Sequence, residues 1–152
     1  MGALTLPPSG RVYVDANPLI YSIERHADFA PMLVPLWRAA ALNVIEVVTS
    51  ELTLLESLVG PLKAGNKDLA HLYELALQSS EIQLIPLNLD VLREAAKIRA
   101  MSRLKTPDAL HAATAMVAGC VLFVTNDDDF RGRLPMPMIV LRDLPTTPTS
   151  TP

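Results

Sequence analysis

The stretch CVLFVTNDDDF, residues 120–130, runs from an apolar strand pattern straight into Asp127, Asp128 and Asp129. Further acids stand at comparable places. Asp15 ends the β-branched run RVYVD, Glu56 lies one turn inside the helical pattern ELTLLESLVG, and Asp108 opens TPDALHAATAMVAG. Carboxylates at the ends of elements can meet in one pocket, where they raise one another's pKa and oppose folding unless a cation or protons compensate. A donor set of oxygens only, with no His at ligand spacing and no cysteine pair, suits a hard cation such as Mg²⁺ or Mn²⁺. Such a centre activates water and stabilises a phosphodiester transition state, which makes hydrolysis of nucleic acid the leading chemistry. Asp15, Glu56, Asp108 and Asp127 are the candidate catalytic residues, and Asp15, Asp108 and Asp127 the candidate metal ligands.

Each residue also has a plainer reading. Asp15 by itself is an ordinary turn residue or helix cap. Thr53 and Glu56 have capping-box spacing, and Glu51 is an alternative acid in the same segment. Asp108 suits a helix N-terminus whatever else it does, and Asp128 reads as a solvated loop acid. Asn17, Thr53, Thr125 and Asn126 are candidates for supporting contacts. An Asn can orient water or a carboxylate, and a hydroxyl at a strand end can bond a carboxylate or a phosphate. His26, His71 and His111 are scattered, none with a second His four residues on, and are assigned structural or surface roles.

The elements that must carry these residues alternate. RVYVD reads as a strand that leads into the helical spacing of PLIYSIE. APMLVPLWRAAAL gives one or two helical turns interrupted by Pro35, and NVIEVVTS a second strand. The helix after it is capped by Ser50 or Thr53 and stops at Gly60-Pro61. NKDLAHLYELALQSS is an amphipathic helix, IQLIPL a third strand, and Asn88 caps LDVLREAAKIRAMSRL. In TPDALHAATAMVAG, Thr106 is the expected N-cap and Pro107 the first helical residue, with Gly119 closing the helix. Its Ala-rich face is read as close packing against a sheet. CVLFVT and MIVL at 138–141 are the fourth and fifth strands. This order implies an α/β fold with a parallel sheet covered by helices, whose ligands bind beyond the carboxyl ends of the strands.

Composition excludes several classes. The chain has 152 residues, enough for one domain, with 50% hydrophobic residues, 19% charged residues and a formal net charge of −3. Cys120 is the single cysteine, so neither an internal disulfide nor a thiolate zinc cluster is available. Arg38, Asn43 and Glu46 interrupt the most apolar region, no membrane span is expected, and MGALTLPPSG lacks the pattern of a signal peptide. A cytoplasmic location is the default expectation. The overall charge does not advertise a polyanion, but its distribution does. Arg99, Arg103 and Lys105 precede Asp108 and Arg131 follows the acidic triplet; such rim cations draw RNA toward carboxylates that would repel it.

Four motifs in order, VYVDANPLIY, TLLES, KTPDALHAATAM and VTNDDDF, resemble the PIN domain, especially the VapC toxins of bacterial and archaeal toxin–antitoxin pairs. The resemblance spans residues 11–142, with residues 1–10 as an N-terminal extension and 143–152 as a Pro/Thr-rich tail expected to be disordered. It implies a PIN-like three-layer α/β/α sandwich with a central, mainly parallel sheet of about five strands. It also implies that Asp15, Glu56, Asp108 and Asp127 form the site, and adds Asp129 as a further metal ligand. The implied activity is Mg²⁺- or Mn²⁺-dependent endoribonuclease cleavage of single-stranded RNA, with homodimerisation and inhibition by a cognate VapB-like antitoxin. Two other readings stand beside it. One is phosphoryl transfer through an aspartate nucleophile, for which Asn17 occupies the place of a required second acid. The other is a PIN-like binding module that acts through protein contacts.

Overall fold

A computed structural model of the chain describes residues 4–146. Residues 1–3 and the end from residue 147, which includes most of the expected tail, lie outside the described residues. Five short strands, β1 (Arg11–Val14), β2 (Glu46–Ser50), β3 (Ile82–Ile85), β4 (Leu122–Thr125) and β5 (Met138–Val140), form one sheet in the order β3-β2-β1-β4-β5. Every pairing is parallel. The helices are α1 (Ala16–Ile23), α2 (Phe29–Ala41), α3 (Glu51–Ala64), α4 (Lys67–Leu77), α5 (Leu89–Met101) and α6 (Thr106–Val117), with 3-10 turns at Asp128–Phe130 and Leu141–Asp143. No helix among the described residues is long and apolar enough to cross a membrane.

Period-two alternation divides the core into two layers. Val12, Val14, Val47, Leu122 and Val124 face α2, where they meet Leu33, Leu36 and Ala40. Tyr13, Val48 and Phe123 face the other way, onto α5 and α6 through Val91, Ala95, Ala109, Ala112 and Ala113. Leu4 and Leu144 pack into the first layer, so the folded body reaches slightly past residues 11–142 at both ends.

The sheet order explains how distant acids meet. The chain moves outward from β1 to β2 and β3, then returns to lay β4 on the other side of β1, so the switch point lies between β1 and β4. Val14 pairs with Val124, which puts Asp15 and Thr125 side by side at the carboxyl end of the sheet.

Three local readings need correction. Pro35 does not interrupt the second helix: α2 is continuous, because burying Leu33, Leu36 and Ala40 on one face outweighs one missing backbone bond. Gly60-Pro61 does not stop α3, which ends at Gly65 in the left-handed region at φ 66°. A residue before proline avoids the helical region mainly through its Cβ, which Gly60 lacks. Thr106 is the first residue of α6, with Lys105 at the cap position and Pro107 second. The Thr106 hydroxyl instead accepts from Arg99 Nη1 at 2.9 Å. Ser50 caps α3 through Leu52 N, and Asn88 caps α5 through Val91 N, both at 3.0 Å.

Helix α6 can lie this close to the sheet because Ala109, Ala112, Ala113 and Ala115 are all fully buried. Ala112→Leu forces three extra carbons into that contact and is expected to cost about 1–3 kcal/mol. Urea denaturation of the variant measures it, and an unchanged midpoint contradicts the close packing.

Candidate metal centre

Asp15 occupies the N-cap position of α1 but makes no side-chain cap bond. Its Oδ2 accepts from Thr125 Oγ1 at 2.5 Å, and its Oδ1 is buried with no hydrogen-bond partner. A buried carboxylate oxygen without a donor is costly, so it marks a place for a cation or a proton. Thr125 Oγ1 also accepts from Asp127 N at 3.0 Å, and one hydroxyl thereby ties the acid after β1 to the acid after β4. Asp127 Oδ1 accepts from Asp129 N at 2.9 Å, which curls the loop so that Asp127 and Asp129 face the same way.

Asp108 joins these two from the start of α6. One carboxylate oxygen each from Asp108, Asp127 and Asp129 lie within 4.8 Å of one another. Asp15 and Glu56 stand outside that tight group but within electrostatic reach of it. Burial is the main cause that pushes the Asp15 carboxyl up to about 7; Glu56 and Asp127 add to the rise, while His111 and the Thr125 bond oppose it. Asp108 is raised too, by burial first and then by Asp127, with Asp129 and Glu56 adding and His111 opposing. The clustered carboxylate oxygens of Asp108, Asp127 and Asp129 are a donor set of the kind that suits a hard divalent cation such as Mg²⁺ or Mn²⁺.

The triplet divides its labour. Asp128 accepts from Arg131 Nε at 2.6 Å and Arg142 Nη1 at 3.2 Å, and those contacts hold its carboxyl below the usual range. It is not a free solvated acid. Asn126 faces away from the carboxylates: its Oδ1 accepts from Arg142 N at 2.8 Å and its Nδ2 donates to Tyr21 Oη at 3.2 Å. Asn17 is exposed, and no hydrogen bond joins it to Asp15 among the described residues. Thr53 bonds Thr49 at 2.7 Å, not Glu56, so no capping box forms. Glu51 is taken up by Leu87 N at 2.9 Å, which leaves Glu56 as the acid of its segment that faces the others.

His111 is neither a surface residue nor idle. It is 3% exposed and bridges Glu56 Oε1, at 2.5 Å from Nε2, to Tyr13 Oη, at 2.6 Å from Nδ1. The one available signal was its place three residues after Asp108, on the same face of α6.

A cavity of about 470 Å³ opens over Asp108 and Asp129 and is lined by Arg103, Lys105, Arg131 and Arg133. Arg103 and Lys105 are exposed and form no ion pair among the described residues. Arg99 is committed to Leu104 O and Thr106, and Arg131 to Asp128 and Asp143, so these two shape the rim and do not stand free. Arg133, the next basic residue after Arg131, is a rim cation that was not among the RNA-binding candidates.

The sequence profile of the PIN domain matches residues 12–133. The chain belongs to the PIN domain family. No curated protein matches it closely enough in sequence to count as a relative. Among solved structures, this PIN domain is similar to a toxin–antitoxin complex from Klebsiella pneumoniae, at 24% identity and a TM-score of 0.66 over 86% of this chain and 97% of the other. It is similar to VapBC-5 of Mycobacterium tuberculosis, a member of the VapBC family of toxin–antitoxin systems, at 25% identity and a TM-score of 0.55 over 88% and 98%. A third similar structure is M. tuberculosis VapC20, a toxin that cleaves the sarcin–ricin loop, at 16% identity and a TM-score of 0.64 over 78% and 92%.

The Asp15 environment has a direct consequence for the metal-free PIN domain. An Asp raised from 3.8 to about 7 holds its proton more tightly folded than unfolded, so its contribution to stability is present below pH 4 and is lost as pH rises through 7. Across that window the loss amounts to roughly 4 kcal/mol by linkage. In EDTA the melting temperature is therefore expected to fall between pH 5 and pH 8, and much less so in Asp15→Asn. Added Mg²⁺ or Mn²⁺ should recover more stability at pH 8 than at pH 5, because binding competes with the Asp15 proton. Equal melting curves for the two proteins at both pH values contradict this account.

Proposed function

We propose that this PIN domain is a Mg²⁺- or Mn²⁺-dependent endoribonuclease that cleaves single-stranded RNA, and the toxin of a VapBC-like toxin–antitoxin pair. The observation that carries the reading is the buried, unpartnered Oδ1 of Asp15 beside the converging carboxylates of Asp108, Asp127 and Asp129. Membership of the PIN family and similarity to toxins from such pairs support it. Similarity to M. tuberculosis VapC20, a toxin that cleaves the sarcin–ricin loop, supports RNA as the polymer.

When bound, a divalent cation supplies positive charge against the phosphodiester and makes water a nucleophile near neutral pH. The chain's own groups do the rest. Arg103, Lys105 and Arg133 draw the RNA backbone over the carboxylates, which by themselves repel it. Arg131, and Arg99 behind it, hold the rim in shape. Thr125 keeps Asp15 Oδ2 occupied, so Oδ1 is the oxygen left for the cation. Glu56, bonded through Oε1 alone, retains Oε2 to take the proton of the attacking water.

A protein partner has support of its own. Leu55, Val59 and Leu62 form an exposed apolar stripe along α3, and Leu72 and Leu75 stand exposed on α4. Stripes at this spacing suit helix-mediated contact with an antitoxin or with a second copy of the chain. The aspartate-nucleophile alternative loses ground, since Asn17 is exposed and Asp15 is tied into the Thr125 contact.

The deciding experiment incubates the antitoxin-free protein with single-stranded RNA in Mn²⁺, Mg²⁺ or EDTA. Cleavage is expected with metal only, and Asp15→Asn and Asp108→Asn are each expected to lower it by about 100-fold or more, the scale for losing transition-state charge stabilisation. Circular dichroism should show both variants folded. Undiminished cleavage in both sinks the reading.

A further inference from the structure

Glu56 is half-buried, 34% accessible at its side chain, on the helix α3. A glutamate there has three free torsions and no salt bridge to a Lys or Arg among the described residues. What restrains it is His111. The ring lies almost wholly buried in α6 and reaches Glu56 Oε1 with Nε2 at 2.5 Å.

The ring's other side identifies its tautomer. Tyr13 is fully buried, stacked on Phe123 at 4.9 Å between centroids, and edge-on to His111 at 5.9 Å. A buried phenol keeps its proton and must donate it, and His111 Nδ1 is 2.6 Å away. In the neutral ring Nδ1 therefore accepts, the proton resides on Nε2, and Nε2–H donates to the Glu56 carboxylate. Histidines behind metal sites commonly work in this way, with one nitrogen fixing the use of the other.

We propose that His111 is a positioning residue that fixes the carboxylate of Glu56 at the site, and that Tyr13 sets which ring nitrogen carries the proton. The line runs from a strand centre, through α6, to an acid on α3, three elements that share no local sequence. Its kinetic part rests on the nuclease reading above. Its structural part does not.

The test therefore has two arms on the full chain. In ¹⁵N-histidine-labelled protein without added metal, His111 is expected as the Nε2–H tautomer, and Glu56→Gln should move that ring proton upfield as a charged acceptor becomes neutral. Tyr13→Phe should allow the Nδ1–H form to appear. In the second arm, His111→Asn, which can replace Nδ1 but cannot reach Glu56, is expected to lower kcat for RNA about 10–100-fold with KM changed less than about 3-fold. His111→Gln, whose amide N–H reaches Glu56, should restore most of that loss. Thermal melts of both variants separate folding from rate.

An Nδ1–H tautomer in the wild type, or a ring proton indifferent to Glu56→Gln, overturns the proposal. So do equal kcat losses in His111→Asn and His111→Gln that track their melting temperatures, since those describe a core histidine only. If the wild type cleaves no RNA, the nuclease reading fails, and the labelled ring alone decides whether His111 fixes Glu56.

Discussion

An ionised carboxylate whose second oxygen meets neither water nor a donor costs several kcal/mol in a folded protein. Asp15, at the middle of the sheet, becomes such a group when it gives up its proton. Its neighbours make matters worse, since Asp127 and Glu56 both push its proton affinity up. The surroundings reduce this cost without abolishing it. Thr125 donates to one oxygen, and His111 places a polar ring nearby. What is left over is the part that a divalent cation would relieve.

The support for this arrangement is rigid where it needs to be. The β1–β4 pairing sets Asp15 beside Thr125 through backbone bonds, and the alanine face of α6 lets that helix approach until His111 and Asp108 reach the same end of the sheet. By contrast, the cations that line the cavity are exposed, and Arg103, Lys105 and Arg133 carry no ion pair among the described residues. Fixed acids under adjustable cations suit a polymer whose backbone is uniform while its shape varies.

Much of this was legible in the chain. Apolar runs ending in Asp15 and Thr125-Asn126-Asp127, alternating with helical periods, imply a parallel sheet with acids at its carboxyl end. The PIN resemblance adds the order of the acids. The strand order is another matter, because short β-branched runs of equal length carry no record of which neighbours which. The bonds of His111 were hidden for a related reason. Its partners lie 55 and 98 residues away, and spacing along a chain says nothing about bonds between elements. Gly60-Pro61 looked like a stop because both residues disfavour helices singly, while their effect as a pair depends on a missing Cβ. Arg99 and Arg131 looked free because the Leu104 carbonyl and Thr106 hydroxyl that hold Arg99, and the Asp143 carboxylate that holds Arg131, are brought to them by loops whose course no helical or strand spacing records.

The turn at Leu141–Asp143 has a role beyond closing the chain. Arg142 donates to the Asn126 carbonyl oxygen and to Asp128, its backbone N–H is taken by Asn126, and Asp143 holds Arg131. The loop that carries Asp127 and Asp129 is therefore stitched to the far end of the folded body at four points. The two segments form one cooperative unit in local unfolding. Whatever loosens the last turn of the domain, a cut, a fusion or a bound partner, also loosens the grip on two of its carboxylates.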